Sequence, residues 1–327
     1  MKGVKALAMF SGGLDSILAI KLIQNQGIEV EALNFSGFFC SCKTGSGVAE
    51  TAKRLGVNLR TVEVDEKYLR MLRKPKHGYG RNMNPCVDCK IFMLKEAKKY
   101  AREMNAAFIF TGEVLDERPM SQHYPALKMI EDESGLKRRL LRPLSARLLP
   151  ETTAEKEGLV NRVKLLAIRG RSRKPQMALA REFGVTTYPS PAGGCLLTEA
   201  EFARRLRDLF QHRTHCSVAD VALLRLGRHF RFGNNKVIVG RNEKENKALV
   251  AGKAQYDYVF EVSDVAGPIT LLQGKKTSKA IATAAELTAF YSDAKNENVT
   301  VCYGRDKLQK TVVVKKPDRE EVENLRV

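Results

Sequence analysis

The sequence has 327 residues, with 56 Lys and Arg against 37 Asp and Glu and a hydrophobic fraction of 43%. This length predicts two domains, and this hydrophobic fraction excludes a disordered chain. The sequence lacks an apolar run of the roughly 20 residues that a membrane span needs, so we expect a cytoplasmic protein without a membrane partner. The formal net charge of +19 favours a nucleic-acid partner, because Lys and Arg contact phosphates whatever the base sequence.

Short apolar strands alternate with helical patterns through the first third of the chain. This alternation is typical of βαβ units, so the sequence predicts an α/β fold with a parallel sheet and helices on both faces. Ligands of such sheets bind beyond the carboxyl ends of the strands. The predicted strands are 5–10, 29–35, 58–64 and 107–111, and the predicted helices are 16–26, 48–55 and 87–104.

The character of the sequence changes near residue 213. Apolar segments at 228–232 and 236–239 predict a hairpin, and further strand and helix patterns continue to residue 314. We predict a first domain at 1–213, a smaller α+β domain at 214–316 and a charged, frayed tail at 317–327.

A glycine loop, SGGLDS at residues 11–16, follows the first predicted strand and opens the first helix. Gly12 and Gly13 allow the backbone to approach a ligand, and the N–H groups at the start of a helix attract an anion. Ser11 and Ser16 offer hydroxyl groups to phosphate oxygens, and Asp15 suits a Mg²⁺ ion. A plain glycine turn before a helix is the simpler interpretation of the same residues.

The loop lacks the Lys-Ser/Thr ending of a Walker P-loop, which argues against cleavage between the β- and γ-phosphates. SGGLDS instead resembles the PP-loop of the ATP pyrophosphatase superfamily. The resemblance implies that a substrate oxygen attacks the α-phosphate of ATP and that pyrophosphate leaves. It also implies that Thr111 and Gly112, at the end of a later strand, lie beside the nucleotide. A strand that merely ends at glycine is the alternative for this pair.

The sequence has seven cysteines, and an odd number argues against a disulfide framework in a chain that is expected to be cytoplasmic. Cys86 and Cys89 form a CxxC pair at the start of a predicted helix, and Cys195 lies in a glycine-rich loop. Three interpretations are open, in order of preference. The three cysteines bind three irons of a [4Fe–4S] cluster, or Cys195 carries a persulfide that Cys86 or Cys89 resolves, or the thiolates bind zinc. The candidates for a fourth zinc ligand are His77, His123 and Cys42.

Five segments, in order along residues 1–213, carry a wider resemblance: SGGLDS, NPCVDCK, TGEVLDERPMSQ, LLRPLSARLLPET and AGGCLLT. Together they resemble the tRNA thiouridylases, specifically the 2-thiouridylase branch of the PP-loop enzymes. The resemblance implies that Cys195 is the sulfur-transferring cysteine and that Cys86 or Cys89 is its partner. Bacterial members of that branch have one cysteine at the earlier site. The CxxC pair is closer to the cluster-dependent tRNA thiolases.

The second predicted domain has a resemblance of its own. The segments VIVGRNEKENKALV, VAGPITLL, TAAELTAFYSDAK and VTVCYG resemble the NFACT RNA-binding domain. Arg241 and Asn242 suit phosphate or base contacts, and Arg204 and Arg205 of a basic helix suit the tRNA backbone. A solvated helix face and a turn stabilised by Asn and Gly are the simpler interpretations.

The sequence therefore predicts an ATP-dependent tRNA sulfurtransferase that adenylates a uridine carbonyl oxygen and replaces that oxygen with sulfur. Asp15, Cys86, Cys89 and Cys195 are the predicted catalytic residues. ATP and Mg²⁺ are the expected cofactors, together with an iron–sulfur cluster, or with zinc or no metal at the cysteines. The expected partners are tRNA and a sulfur donor, either a persulfide carrier or sulfide. The alternatives are a PP-loop enzyme that adenylates without thiolation and an RNA-binding protein with a regulatory nucleotide site.

Overall fold

A computed structural model of the chain describes residues 3–37, 39, 46–188 and 195–327. The chain divides into two compact units, Met1–Glu199 and Ala200–Val327. The division falls before the predicted boundary at residue 213, because the basic helix α8 (Ala200–His212) packs with the second unit through the ion pair of Asp208 with Arg231. None of the described helices is long and apolar enough to cross a membrane.

Five parallel strands form the sheet of the first unit. The strands are β1 (Lys5–Met9), β2 (Glu29–Ser36), β3 (Asn58–Glu63), β4 (Phe108–Thr111) and β5 (Leu140–Leu141), in the sheet order β3-β2-β1-β4-β5. The helices are α1 (Leu14–Gln24), α2 (Ser46–Arg54), α3 (Glu66–Arg73), α4 (Cys86–Glu103), α5 (Tyr124–Ser134), α6 (Thr153–Lys156) and α7 (Lys174–Glu182). Short 3₁₀ turns lie at Ala146–Leu148, Arg162–Lys164 and Leu196–Thr198.

Alternating side chains of β1 contribute to two hydrophobic cores, one on each face of the sheet. Ala6 and Ala8 pack with Ile20 of α1 on one face. Leu7 packs with Leu94 of α4 on the other face. The predicted parallel sheet with helices on both faces is confirmed. Every strand of the sheet ends at the same edge, so that edge collects the loops that follow the strands.

Six antiparallel strands form the sheet of the second unit, in the order β11-β10-β8-β9-β7-β6. These strands are β6 (Arg228–Phe232), β7 (Asn235–Val239), β8 (Tyr258–Val262), β9 (Thr270–Gln273), β10 (Asn298–Gly304) and β11 (Lys310–Lys315). The helices are α8, α9 (Val218–Leu223), α10 (Glu243–Gly252), α11 (Ser278–Phe290) and α12 (Arg319–Asn324). Helix α11 covers one face of the sheet, and α9 and α10 pack on the other. The predicted hairpin, β6 with β7, and the smaller α+β domain are confirmed.

The charged last residues form helix α12 and do not fray as predicted. Asp318 caps this helix and exchanges hydrogen bonds with Glu321 in a capping box. Val322 is buried in the core of the second unit, and the backbone N–H of Arg231 donates to the carbonyl of Leu325 over 2.8 Å. The prediction was wrong because Val322 and Leu325 pack on the core and hold this segment despite its charged neighbours.

Candidate active site

The glycine loop joins β1 to α1 at the carboxyl edge of the parallel sheet. Gly12 has a left-handed backbone with φ of 75°, which glycine adopts without strain. Gly13 precedes α1, and no side chain of the described residues caps the helix there. The Ser16 hydroxyl donates to the Gly13 carbonyl over 2.8 Å and braces the turn. The loop thus presents helix N–H groups that suit an anion.

Strand β4 brings Thr111 and Gly112 to this loop. The strand pairs in parallel with β1, and Thr111 lies opposite Met9. A Cβ atom added to Gly112 would lie 2.5 Å from the backbone nitrogen of Ser16, closer than real contacts allow. Glycine is therefore required where the two backbones meet, and both predicted residues lie at the loop.

Asp15, in the first turn of α1, belongs to a cluster of charged groups that is partly buried. Burial raises the pKa of the Asp15 carboxyl, whereas Arg173, Gln176 and Arg118 lower it. Its Oδ1 atom is buried and has no hydrogen-bond partner among the described residues. Glu117 lies close by, since burial and then the charge of Asp15 raise the pKa of Glu117. Two carboxylates and two guanidinium groups therefore meet beside the loop.

Gln176 of α7 is completely buried next to this cluster. Helix α7 packs against α1 through Ala180 and Leu18. Although the Gln176 amide is near enough to lower the pKa of Asp15, neither of its polar atoms has a partner of ordinary hydrogen-bond geometry among the described residues. An unpaired buried amide costs about 1–3 kcal/mol, so its retention here fits a site that a ligand completes.

Glu113 connects the glycine loop to the helix that carries the CxxC pair. It directly follows Gly112 and forms ion pairs with Lys90 and with Arg142, whose Nε donates to Glu113 over 2.9 Å. Burial opposes ionisation of Glu113, but the two cations outweigh it and lower its pKa to about 2. Because Lys90 directly follows Cys89 on α4, this network of ion pairs fixes the start of that helix relative to the glycine loop.

Glu113→Gln is expected to lower the free energy of unfolding at pH 7 by about 3 kcal/mol, because Lys90 loses its carboxylate partner and the buried Arg142 keeps only Glu131. The pKa of Glu113 falls from its ordinary 4.5 to about 2 on folding. The stabilisation is therefore complete above pH 4.5 and is lost as the pH falls towards 2. Urea unfolding of both proteins across this range checks the prediction. The exposed Glu29, 3.1 Å from Lys5, gives the control Glu29→Gln, with an expected change below about 1 kcal/mol. A constant gap between Glu113→Gln and wild type down to pH 2 would contradict this account.

Cys86 and Cys89 lie in the first turn of α4. Cys86 is the first residue of the helix, and the backbone N–H of Cys89 donates to the carbonyl of Pro85 over 2.8 Å. The Tyr68 hydroxyl donates to Sγ of Cys89 over 3.3 Å. A helix N-terminus and a hydroxyl donor both favour a thiolate, so Cys89 is suited to act as a nucleophile.

Cys195 directly precedes a short 3₁₀ turn that lies against the segment leading into α4. The backbone N–H of Met83 donates to the Leu197 carbonyl over 3.0 Å. The side-chain amide of Asn82 donates to the Thr198 carbonyl over 2.7 Å. These bonds bring the chain that follows Cys195 to the start of the cysteine helix.

Phe39 makes a second connection between the same segments. The backbone N–H of Leu196 donates to the Phe39 carbonyl over 2.8 Å. The rings of Phe39 and Tyr68 are 5.6 Å apart, and Tyr68 bonds to Cys89. The fold therefore brings the segment of Cys195 to the CxxC pair, although more than a hundred residues separate them in sequence.

Two family models match the chain. Residues 2–164 match the model described as thiamine biosynthesis protein (ThiI), and residues 227–326 match that of the NFACT protein RNA-binding domain. The tRNA-specific 2-thiouridylase MnmA of Acidithiobacillus ferrooxidans is 24% identical over an alignment of 272 residues that covers 78% of this chain and 74% of that protein. MnmA of Marinobacter nauticus is 22% identical over 93% of this chain and 83% of its own. Residues 2–164 are thus similar to the PP-loop tRNA thiouridylases, and residues 227–326 match the NFACT-type RNA-binding domain.

Solved structures show weaker likenesses. A 4-thiouridine synthetase in complex with RNA and bound ATP is 20% identical, with a TM-score of 0.35 over 68% of this chain and 52% of that chain. A predicted subunit of tRNA methyltransferase from Methanocaldococcus jannaschii is 16% identical, with a TM-score of 0.39 over 66% of this chain and 91% of that chain. TM-scores this low support no argument about the site, so the site is described from this chain's own residues alone.

The residues present fit some of the expected ligands better than others. The close backbone approach at Gly112 and the helix N–H groups fit the phosphates of ATP. The neighbouring carboxylates of Asp15 and Glu117 fit Mg²⁺, which takes one or two carboxylates beside phosphates. Within residues 3–37, 39, 46–188 and 195–327, no group of three or more His, Cys, Asp or Glu is placed to hold a metal ion. The described cysteines thus do not form a complete set of metal ligands, and the iron–sulfur cluster stays a prediction.

The two described candidates for a fourth zinc ligand both have other polar partners. His123 caps α5, where its Nδ1 accepts from the backbone N–H of Ala126 over 3.4 Å. His77 lies beside Glu133. Cys42 lies outside the described residues. Zinc at the cysteines therefore also stays a prediction.

The two arginines predicted on the basic helix differ in their surroundings. Arg204 is exposed. Arg205 is only 15% exposed, lies 3.5 Å from Glu201 and donates to the Leu224 carbonyl over 3.1 Å. Burial lowers the pKa of Arg205. Arg205 thus ties α8 to α9, and a contact with RNA stays a prediction for both arginines.

The GRN segment of the second unit forms a braced turn. Asn242 caps α10 by accepting from the backbone N–H of Glu245, and Arg241 forms an ion pair with the same Glu245. A Cβ atom on Gly240 would lie 2.0 Å from the side-chain oxygen of Asn246. These contacts agree with the simpler interpretation of the segment, and RNA contacts of Arg241 and Asn242 stay predictions.

Sequence reasoning missed four residues of the charged cluster: Glu117, Arg118, Arg173 and Gln176. The first two lie in TGEVLDERPMSQ, shortly after the predicted Gly112. The other two lie at the start of α7, where Arg173 is the N-cap residue. The sequence signal that could have indicated these residues is their position, because charged and amide side chains follow a strand end or lie at a helix start.

Proposed function

We propose that this chain is an ATP-dependent tRNA sulfurtransferase that replaces a carbonyl oxygen of a tRNA uridine with sulfur. One observation carries the proposal. The ion pairs of Glu113 connect Gly112, at the nucleotide loop, to Lys90, next to Cys89 on the cysteine helix. A nucleotide site and a sulfur-transfer site held together in one unit suit a reaction that activates an oxygen and then replaces it. The names of the curated relatives, tRNA-specific 2-thiouridylases, agree with this reaction.

The first step of the proposed reaction uses the glycine loop and the charged cluster. The N–H groups at the start of α1, with Arg118 and Arg173, would hold the phosphates of ATP. Asp15 and Glu117 would hold a Mg²⁺ ion, which neutralises phosphate charge when bound. A uridine carbonyl oxygen attacks the α-phosphorus, pyrophosphate leaves and the base is adenylated. The base has to leave its stack to reach this site.

The second step uses the cysteines. The terminal sulfur of a Cys195 persulfide attacks the activated carbon, and AMP leaves with the former carbonyl oxygen. The thiolate of Cys89 then attacks Sγ of Cys195, which forms a disulfide and releases the sulfur on the base. An external thiol reduces the disulfide, and a sulfur donor restores the persulfide. The hydrogen bond from Tyr68 favours Cys89 over Cys86 for the resolving role, because it stabilises the thiolate.

Cys195→Ser is expected to abolish thiolation and to retain tRNA-dependent release of pyrophosphate from ATP, because adenylation precedes sulfur transfer. Labelled sulfur in tRNA and released pyrophosphate are measured in the same reaction. Nucleoside analysis of the wild-type product identifies the thiolated carbon. Cys302→Ser, in the second unit, is the control and should thiolate like wild type.

Three outcomes would contradict the proposal. Normal thiolation by Cys195→Ser would remove Cys195 from sulfur transfer. Pyrophosphate release without sulfur incorporation by the wild type, with donor present, would identify an adenylating enzyme that does not thiolate. A wild type that binds tRNA but releases no pyrophosphate would instead favour a regulatory nucleotide site.

A further inference from the structure

One end of the antiparallel sheet carries a group of aromatic and basic side chains, of which Tyr256 and Arg305 are exposed and the others half-buried. This tyrosine surface consists of Tyr256, Tyr258, Tyr303, Lys276 and Arg305. Tyr256 is 67% exposed. The Arg305 guanidinium carbon lies 5.7 Å from the centre of the Tyr256 ring and 6.0 Å from that of Tyr258. The Lys276 ammonium lies 5.4 Å from the Tyr258 ring, so cations and rings alternate across this surface.

The core of the second unit holds the inner rings of the tyrosine surface in place. Tyr258 on β8 and Tyr303 on β10 have ring centres 6.0 Å apart. Tyr303 also stacks on the fully buried Phe260 at 5.3 Å, with 13° between the ring planes. Lys276 donates to the carbonyls of Leu272 and Gly274. Rings and cation are thus positioned before any ligand arrives.

The cations of the tyrosine surface form no ion pair within the described part of the chain. No carboxylate there lies within 4.0 Å of the charged nitrogens of Arg305 or Lys276, whereas the nearby Lys253 pairs with Asp306 at 3.0 Å. Burial lowers the pKa of Lys276, Asp257 raises it, and Arg305 lowers it further. Two neighbouring cations next to an exposed ring fit a polyanion with flat groups.

We propose that the tyrosine surface stacks unpaired bases of the RNA partner, with Arg305 and Lys276 at the flanking phosphates. Aromatic faces stack on any base, and a basic border follows the backbone of a single strand. The loops and ends of an RNA supply such unstacked bases, which a duplex does not. In the GRN turn, by contrast, Arg241 is engaged by Glu245. The identity of the partner rests on the proposed function, and the assignment of the surface does not depend on the chemistry of the first unit.

The absence of Trp from the sequence gives this surface a specific reporter. Tyr256→Trp in the full chain places a single indole at an exposed position. Titration with an oligouridylate and with tRNA is expected to quench its fluorescence saturably. Tyr256→Ala is expected to weaken binding of the oligouridylate roughly 10- to 100-fold, because one stacked base is lost, whereas Tyr256→Phe keeps the affinity. Arg305→Ala is expected to lower the salt dependence of binding by about one phosphate contact.

Lys247→Ala is the matched control for these variants. Lys247 is 76% exposed on α10, whose Leu249 packs on the opposite face of the sheet. This control should bind RNA like wild type, and every variant should unfold at the wild-type temperature. Wild-type affinity in Tyr256→Ala, or RNA binding without a change in the fluorescence of the introduced indole, would overturn the proposal that this surface stacks bases. Neither result would bear on the proposed thiolation. A wild type that binds neither RNA would overturn the proposed partner and with it this inference, even if ATP still binds.

Discussion

Asp15→Asn is expected to lower tRNA-dependent pyrophosphate release by about 10²- to 10³-fold, the size of effect that follows loss of one preorganised charge in an active site. The Asp15 carboxylate is partly buried, has an Oδ1 without a hydrogen-bond partner among the described residues, and is electrostatically coupled to Glu117, Arg118 and Arg173. The substitution keeps the shape and removes the charge that would balance the guanidinium groups and hold Mg²⁺. Pyrophosphate release at saturating ATP and tRNA measures the effect.

Asp116→Asn, next to Glu117, is the matched control for this prediction. Asp116 accepts from Arg169 over 2.6 Å, and no coupling of its charge to the Asp15 carboxyl is among the causes of that group's raised pKa. The control is expected to remain within about twofold of wild type, since substitutions away from a site change little. Glu117→Gln should lie between the two, with a higher requirement for Mg²⁺. Equal activity of Asp15→Asn and wild type would remove Asp15 from the adenylation step.

The nucleotide loop could be predicted from the sequence because its determinants are local. Two glycines, two serines and an aspartate between a strand and a helix specify the turn, and the order of strands then predicts that Thr111 and Gly112 lie at the same sheet edge. The structure adds a reason for Gly112 that the sequence lacks: a Cβ atom there would contact the backbone of Ser16. Close approaches between distant segments depend on packing, which no local pattern encodes.

The charged cluster and the role of Arg205 could not be predicted for the same reason. Arg173 is more than 150 residues from Asp15 in the sequence, and only the packing of α7 on α1 brings it there. A run of arginines on a predicted helix likewise does not reveal which one is buried. Arg205 is the buried one, because its turn of α8 lies against the Leu224 carbonyl. The tail was mispredicted because the packing of Val322 and Leu325 on the core outweighs the charged neighbours of these residues.

Cys89→Ser is expected to stop the reaction with the protein joined covalently to tRNA. Without the thiolate that attacks Sγ of Cys195, the sulfur on the base stays bonded to Cys195 through a disulfide. In single-turnover reactions without a thiol reductant, a protein–tRNA adduct should accumulate towards one tRNA per chain. Free thiolated tRNA should fall at least about 100-fold. Denaturing gels run without reductant, with labelled tRNA, measure both species.

A reductant separates this mechanism from simple inactivation. Added dithiothreitol should cleave the adduct and release tRNA that already contains sulfur, because the carbon–sulfur bond forms before the resolving step. Cys86→Ser is the matched comparison one helical turn away and should give free product without an adduct, since the Tyr68 hydroxyl bonds to Cys89. If the adduct accumulates in Cys86→Ser instead, the two cysteines exchange roles. If neither variant traps tRNA and both keep full activity, sulfur leaves Cys195 without a resolving thiol, and the contacts between its segment and α4 serve only to position Cys195.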